Sequence, residues 1–168
     1  MSLSPYIKQM RAHVGHDLLL LPSIGAAVYD DAGRILLTHH ADHDAWVWPG
    51  GCCEPDEIPA DCVVREVWEE TGLFVAPVSL LGVCGGPGLR VHYPNQDRVS
   101  YVMSVFECKV LGGTLRADQV ETLEARFFPV DEVRNLRLAP WVPEVLPVLL
   151  SRRGCDGFQR PTWRPDGF

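Results

Sequence analysis

The chain has 168 residues, 46% of them hydrophobic and 22% charged, an ordinary composition for one globular domain. At that length a single core can bury roughly 70% of the unfolded surface without a disulfide or metal staple, which excludes disordered, collagenous and coiled-coil readings. The net charge of −7 also speaks against a nucleic-acid duplex as partner, since that affinity comes mostly from Lys and Arg.

In chain order, residues 4–14 read as a short helix, with Ser4 as cap, Pro5 in the first turn and Gly15 as stop. The run Leu18 to Leu21, preceded by Lys8 and Arg11, faintly imitates a secretory leader, but Asp17 abuts it and Pro22 breaks it. Pro22 to Tyr29 and Arg34 to His39 are β-rich around the turn Asp30-Asp31-Ala32-Gly33, which predicts a hairpin. A loop follows, and Trp46-Val47-Trp48 leads into Pro49-Gly50-Gly51. Ile58 to Thr71 is a predicted helix, because Ala60, Val63, Val64, Val67 and Thr71 recur at helical spacing and Gly72 stops it.

Leu73 to Cys84 is extended, and 85–97 is a Gly- and Pro-rich loop long enough to suggest a binding role. Arg98 to Val110 alternates as a strand that Gly112-Gly113 should turn, and Ala125 to Val130 is a further strand. Asp131 to Asn135 reads as a helical turn and Trp141 to Leu150 as a last helix containing Pro143 and Pro147, before a tail over 154–168. With no repeat or linker, 1–168 is taken as one mixed α/β domain. No apolar stretch approaches the ~20 residues that cross a bilayer; a cytoplasmic protein without a membrane partner is expected.

Cys62, Cys84 and Cys108 lie in apolar segments, and Cys52 and Cys53 are adjacent with no C-x-x-C spacing anywhere, so reduced thiols are expected. A zinc or redox site at Cys52 and Cys53 is the rival. His39, His40 and His43 with Asp42 and Asp44 could tempt a metal reading, yet lack regular ligand spacing.

Chemistry concentrates between Gly51 and Leu73. Glu66, Glu69 and Glu70 stand at i, i+3 and i+4 and share one helix face opposite the apolar stripe. Like charges so close repel by ~0.2–0.5 kcal/mol per exposed pair, so the cluster is mildly costly unless a cation sits on it. All-oxygen sites of this kind suit Mg²⁺ or Mn²⁺; a solvated acidic face is the bland alternative. Glu57 adds a carboxylate, and Arg65 can hold a loop carboxylate or carbonyl with its fork of donors.

The series Gly51, Glu57, then Arg65-Glu66-Val67-Trp68-Glu69-Glu70-Thr71-Gly72-Leu73 resembles the Nudix hydrolase signature G-x5-E-x7-R-E-U-x-E-E-x-G-U at every specified position. The wider chain, from about Tyr6 to Leu150, is similar to a bacterial ADP-ribose pyrophosphatase-like branch of that family, through Trp48-Pro49-Gly50-Gly51, Tyr93-Pro94-Asn95 and Phe127-Phe128-Pro129. The resemblance implies a Nudix fold, an α/β/α sandwich around a mixed β-sheet with a catalytic loop–helix–loop over 51–73. It implies Mg²⁺- or Mn²⁺-dependent hydrolysis of a nucleoside diphosphate linked to another moiety. Glu66 and Glu70 would be metal ligands, with Glu69 and the Gly50 carbonyl beside them. Arg65 and Glu57 complete the catalytic set, Arg65 by orienting a Glu. Glu121 best matches the further carboxylate that many members use as ligand or general base, with Glu124 in reserve.

Two departures stand out. Asp56 occupies a position where the family commonly has Gly, and His39 and His40 stand where relatives often carry a phosphate-meeting Arg. A nucleoside triphosphate, oxidised ones included, is the alternative substrate, and a non-catalytic nucleotide-sensing module the alternative function. Trp46, Trp48, Tyr93 and His92 are candidates to stack on a base or ribose. A homodimer is left open.

Overall fold

The computed structural model describes residues 4–150 and the backbone of 157–158; the predicted tail otherwise lies outside the described residues. Helix α1 (Pro5–Val14) follows the sequence reading, with the Ser4 hydroxyl accepting the Ile7 N–H at 3.2 Å and Gly15 leaving the helix at φ 57°. Strand β1 (Leu19–Tyr29) starts three residues before the expected Pro22, so the leader-like leucines are a strand. Its Leu19 and Leu21 are buried while Leu20 is exposed. Pro22 does not break it, because even-numbered residues of β1 turn their backbone groups toward segment 49–53: Ala26 N–H donates to Pro49, Ile24 N–H to Gly51, and Cys53 N–H to Pro22. The missing N–H therefore falls on this irregular edge, not on the ladder with β6.

The predicted hairpin forms across the turn at Asp30 to Gly33 but is short. Strand β2 (Ile35–His40) pairs with β1 only at Tyr29 and Ile35, then leaves it for β3 (Ala45–Val47) on one side and β7 (Thr122–Phe128) on the other. Segment 49–53 occupies the gap that opens, which brings Gly50 and Gly51 against the centre of the sheet. A Cβ on Gly50 would strike the Ile24 carbonyl oxygen, so the chain enters there only as glycine.

Helix α2 (Pro59–Thr71) begins at Pro59 and ends on Gly72, whose φ of 67° is the left-handed stop expected of it. Strand β4 (Leu73–Cys84) runs antiparallel to β6 (Arg98–Gly113) with three register shifts, one of them at Pro77. The predicted turn at Gly112-Gly113 is instead the end of β6, where Leu73 and Phe74 pair with both glycines. The long loop holds a 3-10 turn (Pro87–Leu89) and the short β5 (Arg90–His92), the latter formed by antiparallel pairing with β6 that no local pattern signals. β7 begins three residues earlier than expected, whereas the turn at Val133–Asn135 and helix α3 (Val142–Leu149) fall where predicted, Pro143 in the first turn and Pro147 tolerated inside.

The eight-stranded mixed sheet has the order β3-β2-β1-β6-β4-β8, β8 being Gly157–Phe158, with β1–β6 and β4–β8 parallel. Alternate residues of β1 enter different cores. Ile24, Ala26 and Val28 pack under Val63 and Val67 of α2, while Leu19, Leu21 and Ala27 join Ile7 of α1 and Leu146 of α3. A strand covered on both faces must be apolar throughout, which explains the β1 run and makes the fold an α/β/α sandwich. No helix among the described residues is long and apolar enough to cross a membrane.

Candidate active site

The loop preceding α2 is tied down by Arg65. Its Nε and one terminal nitrogen donate to both Glu57 oxygens at 2.8 and 2.9 Å, and that nitrogen also reaches the Cys52 carbonyl at 3.2 Å. The other terminal nitrogen donates to Glu66 at 2.8 Å and Glu69 at 3.1 Å. One guanidinium thus joins three box carboxylates and the loop backbone, a fork that Lys cannot reproduce. The paired guanidinium holds the Glu57 carboxyl down at about 2.

Glu66 and Glu70 experience the opposite field. Burial, with Glu69 and Glu121 nearby, pushes Glu66 up to about 7 despite Arg65. Glu70 is pushed up further, first by burial, then by the charges of Glu66, Glu121 and Asp118. Its hydrogen bonds are long: Gly50 N–H donates at 3.4 Å and the Thr38 hydroxyl at 3.5 Å. Burying a carboxylate so weakly compensated is unfavourable. Gly51 keeps the space clear, since a Cβ there would lie 2.5 Å from a Glu66 oxygen.

Gly50, Gly51, Arg65, Glu66, Glu69 and Glu70 border one cavity of about 860 Å³, which also reaches Asp118 and Glu121. Asp118 was not foreseen. Its Oδ1 accepts the N–H groups of Val120, Glu121 and Thr122 at 2.9, 3.1 and 2.8 Å, an Asx-type turn that presents Glu121 to the cavity. A lone Asp before a strand could have signalled that turn, but not its position. Glu124 lies elsewhere, exposed on β7 and 3.6 Å from Arg126. Among the described residues no three His, Cys, Asp or Glu side chains are gathered into a ready-made metal cage. The donors nevertheless fit a hard divalent ion. They are all carboxylate or carbonyl oxygen, and half-buried Glu66 and buried Glu70 stand beside like charges that a cation would relieve.

Several sequence candidates belong to the packing instead. Trp46 meets Phe128 edge-on at 4.7 Å, Trp48 is 2% exposed, and neither lines the cavity, nor does His92. Tyr93 does line it. The histidines pack against aromatic rings: His39 stands edge-on to Trp46, and His43 edge-on to Trp141 at 4.6 Å. Burial lowers His40 and His43 below the ordinary imidazole value, so neither offers phosphate a charge. Cys52 is half-buried, and loss of hydration pushes its thiol up to about 12, leaving it without nucleophilic character. Asp56 adopts φ 68°, the left-handed conformation for which glycine is the usual choice.

The layered sheet and this carboxylate-lined loop–helix–loop define a class that comparison identifies. A family model described as NUDIX domain matches residues 19–149, and the chain belongs to the Nudix family. It is 40% identical over 111 residues to a MutT-like protein of Streptomyces ambofaciens, covering 66% of this chain and 65% of that one. It is 37% identical over 75 residues to an RNA pyrophosphohydrolase of Pseudomonas fluorescens, spanning 45% of this chain and 46% of the relative. The chain therefore spans from about half to about two thirds of the curated relatives it matches. Among solved structures, an ADP-ribose pyrophosphatase from Streptococcus suis aligns with TM-score 0.63 and 26% identity over 83% of this chain and 98% of that one. A UDP-X diphosphatase aligns with TM-score 0.65 at 22% identity over 94% and 75% of the two chains, a likeness of fold.

Proposed function

We propose that the chain is one Nudix pyrophosphohydrolase domain that cleaves the diphosphate of a nucleoside diphosphate linked to another moiety, of the ADP-ribose or nucleotide-sugar kind. The observation that carries this reading is the mutually repelling pair of half-buried Glu66 and buried Glu70 facing one cavity with Glu121. Glu66, Glu70, Glu69 and the Gly50 carbonyl would hold Mg²⁺ or Mn²⁺; Nudix hydrolases are generally divalent-metal dependent. When bound, such an ion neutralises anhydride oxygens and makes an attacking water more acidic.

The chain's own residues supply the rest. Arg65 fixes the Glu66 and Glu69 carboxylates, and Glu57 locks Arg65, so these two are positioning residues. Glu121, carried to the cavity by the Asp118 turn, is the general-base candidate, with Glu69 second. A reducing, cytoplasmic setting belongs to the same reading, which the free thiols of the five described cysteines support. The partner is a small molecule, with no duplex and no membrane. A nucleoside triphosphate is the second reading, favoured by the MutT-like relative.

A hydrolysis screen over ADP-ribose, nucleotide sugars, dinucleotides and nucleoside triphosphates, with Mg²⁺ or Mn²⁺ and products identified by mass, tests this. Expected is metal-dependent release of a nucleoside monophosphate from a diphosphate-linked substrate. Turnover unchanged in excess chelator, or none on any substrate, would remove the reading.

A further inference from the structure

We infer that the half of the cavity walled by α1 and the turn from Tyr93 to Asp97 receives the uncharged, hydroxyl-bearing ring of a diphosphate substrate, with Tyr93 as a specificity-determining residue. This deepens the hydrolytic reading and rests on it for the orientation of the diphosphate. The first observation is the wall itself. Ser4, Ile7 and Arg11 border the same cavity as Glu66 and Glu70, although α1 precedes residue 19, where the family match begins.

The wall is fixed. Ile7 is 6% exposed within the core, and Arg11 ties α1 to its surroundings through the carbonyls of Gly15, Asp17 and Arg98 at 3.0, 2.6 and 3.0 Å. The Arg11 Nε also sits 3.3 Å from an Asp97 oxygen. The facing turn is equally set, with Tyr93 N–H donating to the Asp97 carbonyl at 2.9 Å and Asn95 Nδ2 to the Asp97 carboxylate at 2.9 Å. The Tyr93 ring is backed by His43 at 5.7 Å, and its hydroxyl lies 2.6 Å from that of Tyr101. Such a ring is placed before a ligand arrives, which spares the ordering cost of binding.

The lining chemistry selects the occupant. Leu21 and Val99 give an apolar floor, the tyrosines an aromatic face, and Asn95 an amide at the rim. The cationic side chains among the described lining residues are Arg11 and Arg65, and each is already engaged by carboxylates. A further phosphate would find no uncommitted positive charge here, whereas a ring with hydroxyls matches the surface. The whole cavity, about 860 Å³, is also of a size that encloses a ligand much larger than pyrophosphate.

The test titrates the α,β-methylene analogue of ADP-ribose, uncleavable at the anhydride, into the full chain with Mg²⁺. Calorimetry gives affinity, and ring-labelled tyrosines are followed by NMR. Expected are shifts of the Tyr93 and Tyr101 signals but not of Tyr29, whose hydroxyl bonds the Leu149 carbonyl. Tyr93→Ala should weaken binding about tenfold, the scale of a lost aromatic contact. α,β-Methylene-ADP, which lacks the distal ribose, distinguishes the two rings. The same loss with it assigns the compartment to the nucleoside, and no loss assigns it to the distal sugar; both uphold the inference. Unchanged affinity for both ligands, no binding of either, or unmoved Tyr93 and Tyr101 signals at saturation would overturn it. Should Tyr93→Ala fail to fold, the wild-type shifts decide. Binding as expected, with ADP-ribose itself left uncleaved, would sink the hydrolytic reading and leave this one standing.

Discussion

Glu57 and Glu66 both touch Arg65, yet their surroundings drive them in opposite directions. Glu57 takes a two-pronged bond from the guanidinium and is held down at about 2; Glu66 takes a single bond, loses hydration beside other carboxylates at the cavity wall, and rises to about 7. Pairing wins at the loop end of the box and burial wins at the cavity end. The loop end is thus already stable, whereas the cavity end stores repulsion that a cation would discharge. Contact with an arginine alone does not reveal which role a carboxylate has; the number of bonds it takes and the carboxylates beside it do.

The largest break in this comparison comes from Glu70→Gln at the cavity end. Turnover should fall on the order of a thousandfold, because a lost ligand misplaces ion, water and phosphate together. Without metal the variant should melt level with the parent or slightly higher, since a neutral amide relieves repulsion, its oxygen can still accept from the Gly50 N–H, and its NH2 can donate to the Thr38 hydroxyl. Added Mn²⁺ at about a hundredfold over its dissociation constant should stabilise the parent by about 2.7 kcal/mol and the variant clearly less. Near-parental turnover, or metal-free melting several degrees lower, would make Glu70 a structural residue.

The next effect is in pH. A carboxyl raised in the folded state binds its proton more tightly there, so Glu66 lowers metal-free stability as pH climbs from about 4.5 to about 7. A carboxyl depressed by Arg65 does the reverse, so the contribution of Glu57 is lost as pH falls from about 4.5 toward about 2. His40 and His43, lowered by burial, favour the folded state as pH rises toward 6.5 and partly mask the first trend. Comparing the parent with Glu66→Gln by denaturant melts isolates it. The variant's advantage should grow to about 3 kcal/mol between the two pH limits, and a constant difference would refute the assignment.

How far such features could be read from the sequence depends on their range. The box was legible because its residues are local: one helix period places Glu66, Glu69 and Glu70 together, and Gly72 stops the helix. The mixed α/β class was legible through the periodicity of α2 and the strands, and the layered sandwich through the family resemblance. What escaped lies between distant segments. That β2 abandons β1 after Tyr29 depends on pairing with β7, almost ninety residues downstream. Trp46 and Trp48 are as apolar in the core as they would be on a ligand, so composition could not separate the two. Asp118 acts through three backbone N–H groups, and Thr38 through a long bond to Glu70; neither residue type announces such a role.

A smaller effect should follow from Gly51→Ala. The added Cβ would meet the far end of the Glu66 side chain, which can swing aside, and not fixed backbone. Stability should change by less than about 1 kcal/mol, while the displaced carboxylate should reduce turnover about ten- to a hundredfold. Loss of stability without loss of turnover would show that Gly51 serves the loop alone, and that the cavity end tolerates a misplaced Glu66.

The smallest effect probes the loop end, at Asp56. Its φ of 68° is a conformation that most side chains adopt at a cost of roughly 1–2 kcal/mol and that Asp tolerates better than most. Glycine removes that strain, but loses roughly 0.5–1 kcal/mol more conformational freedom on folding. The balance for Asp56→Gly is a gain of about 0.5 kcal/mol, a rise of about 1–2 °C in melting temperature. Asp56→Ala keeps the strain and lacks the local bonding that lets Asp occupy this region, so it should melt below the parent. Turnover of both variants should stay within about twofold, because Glu57 is already fixed by Arg65 and by the Glu54 N–H at 3.1 Å. Melting in the order Gly above Asp above Ala makes Asp56 a tolerated substitute for glycine in a turn. If Asp56→Gly melts below the parent, the aspartate side chain contributes to the loop in its own right, and the loop end is held by more than the Arg65 fork.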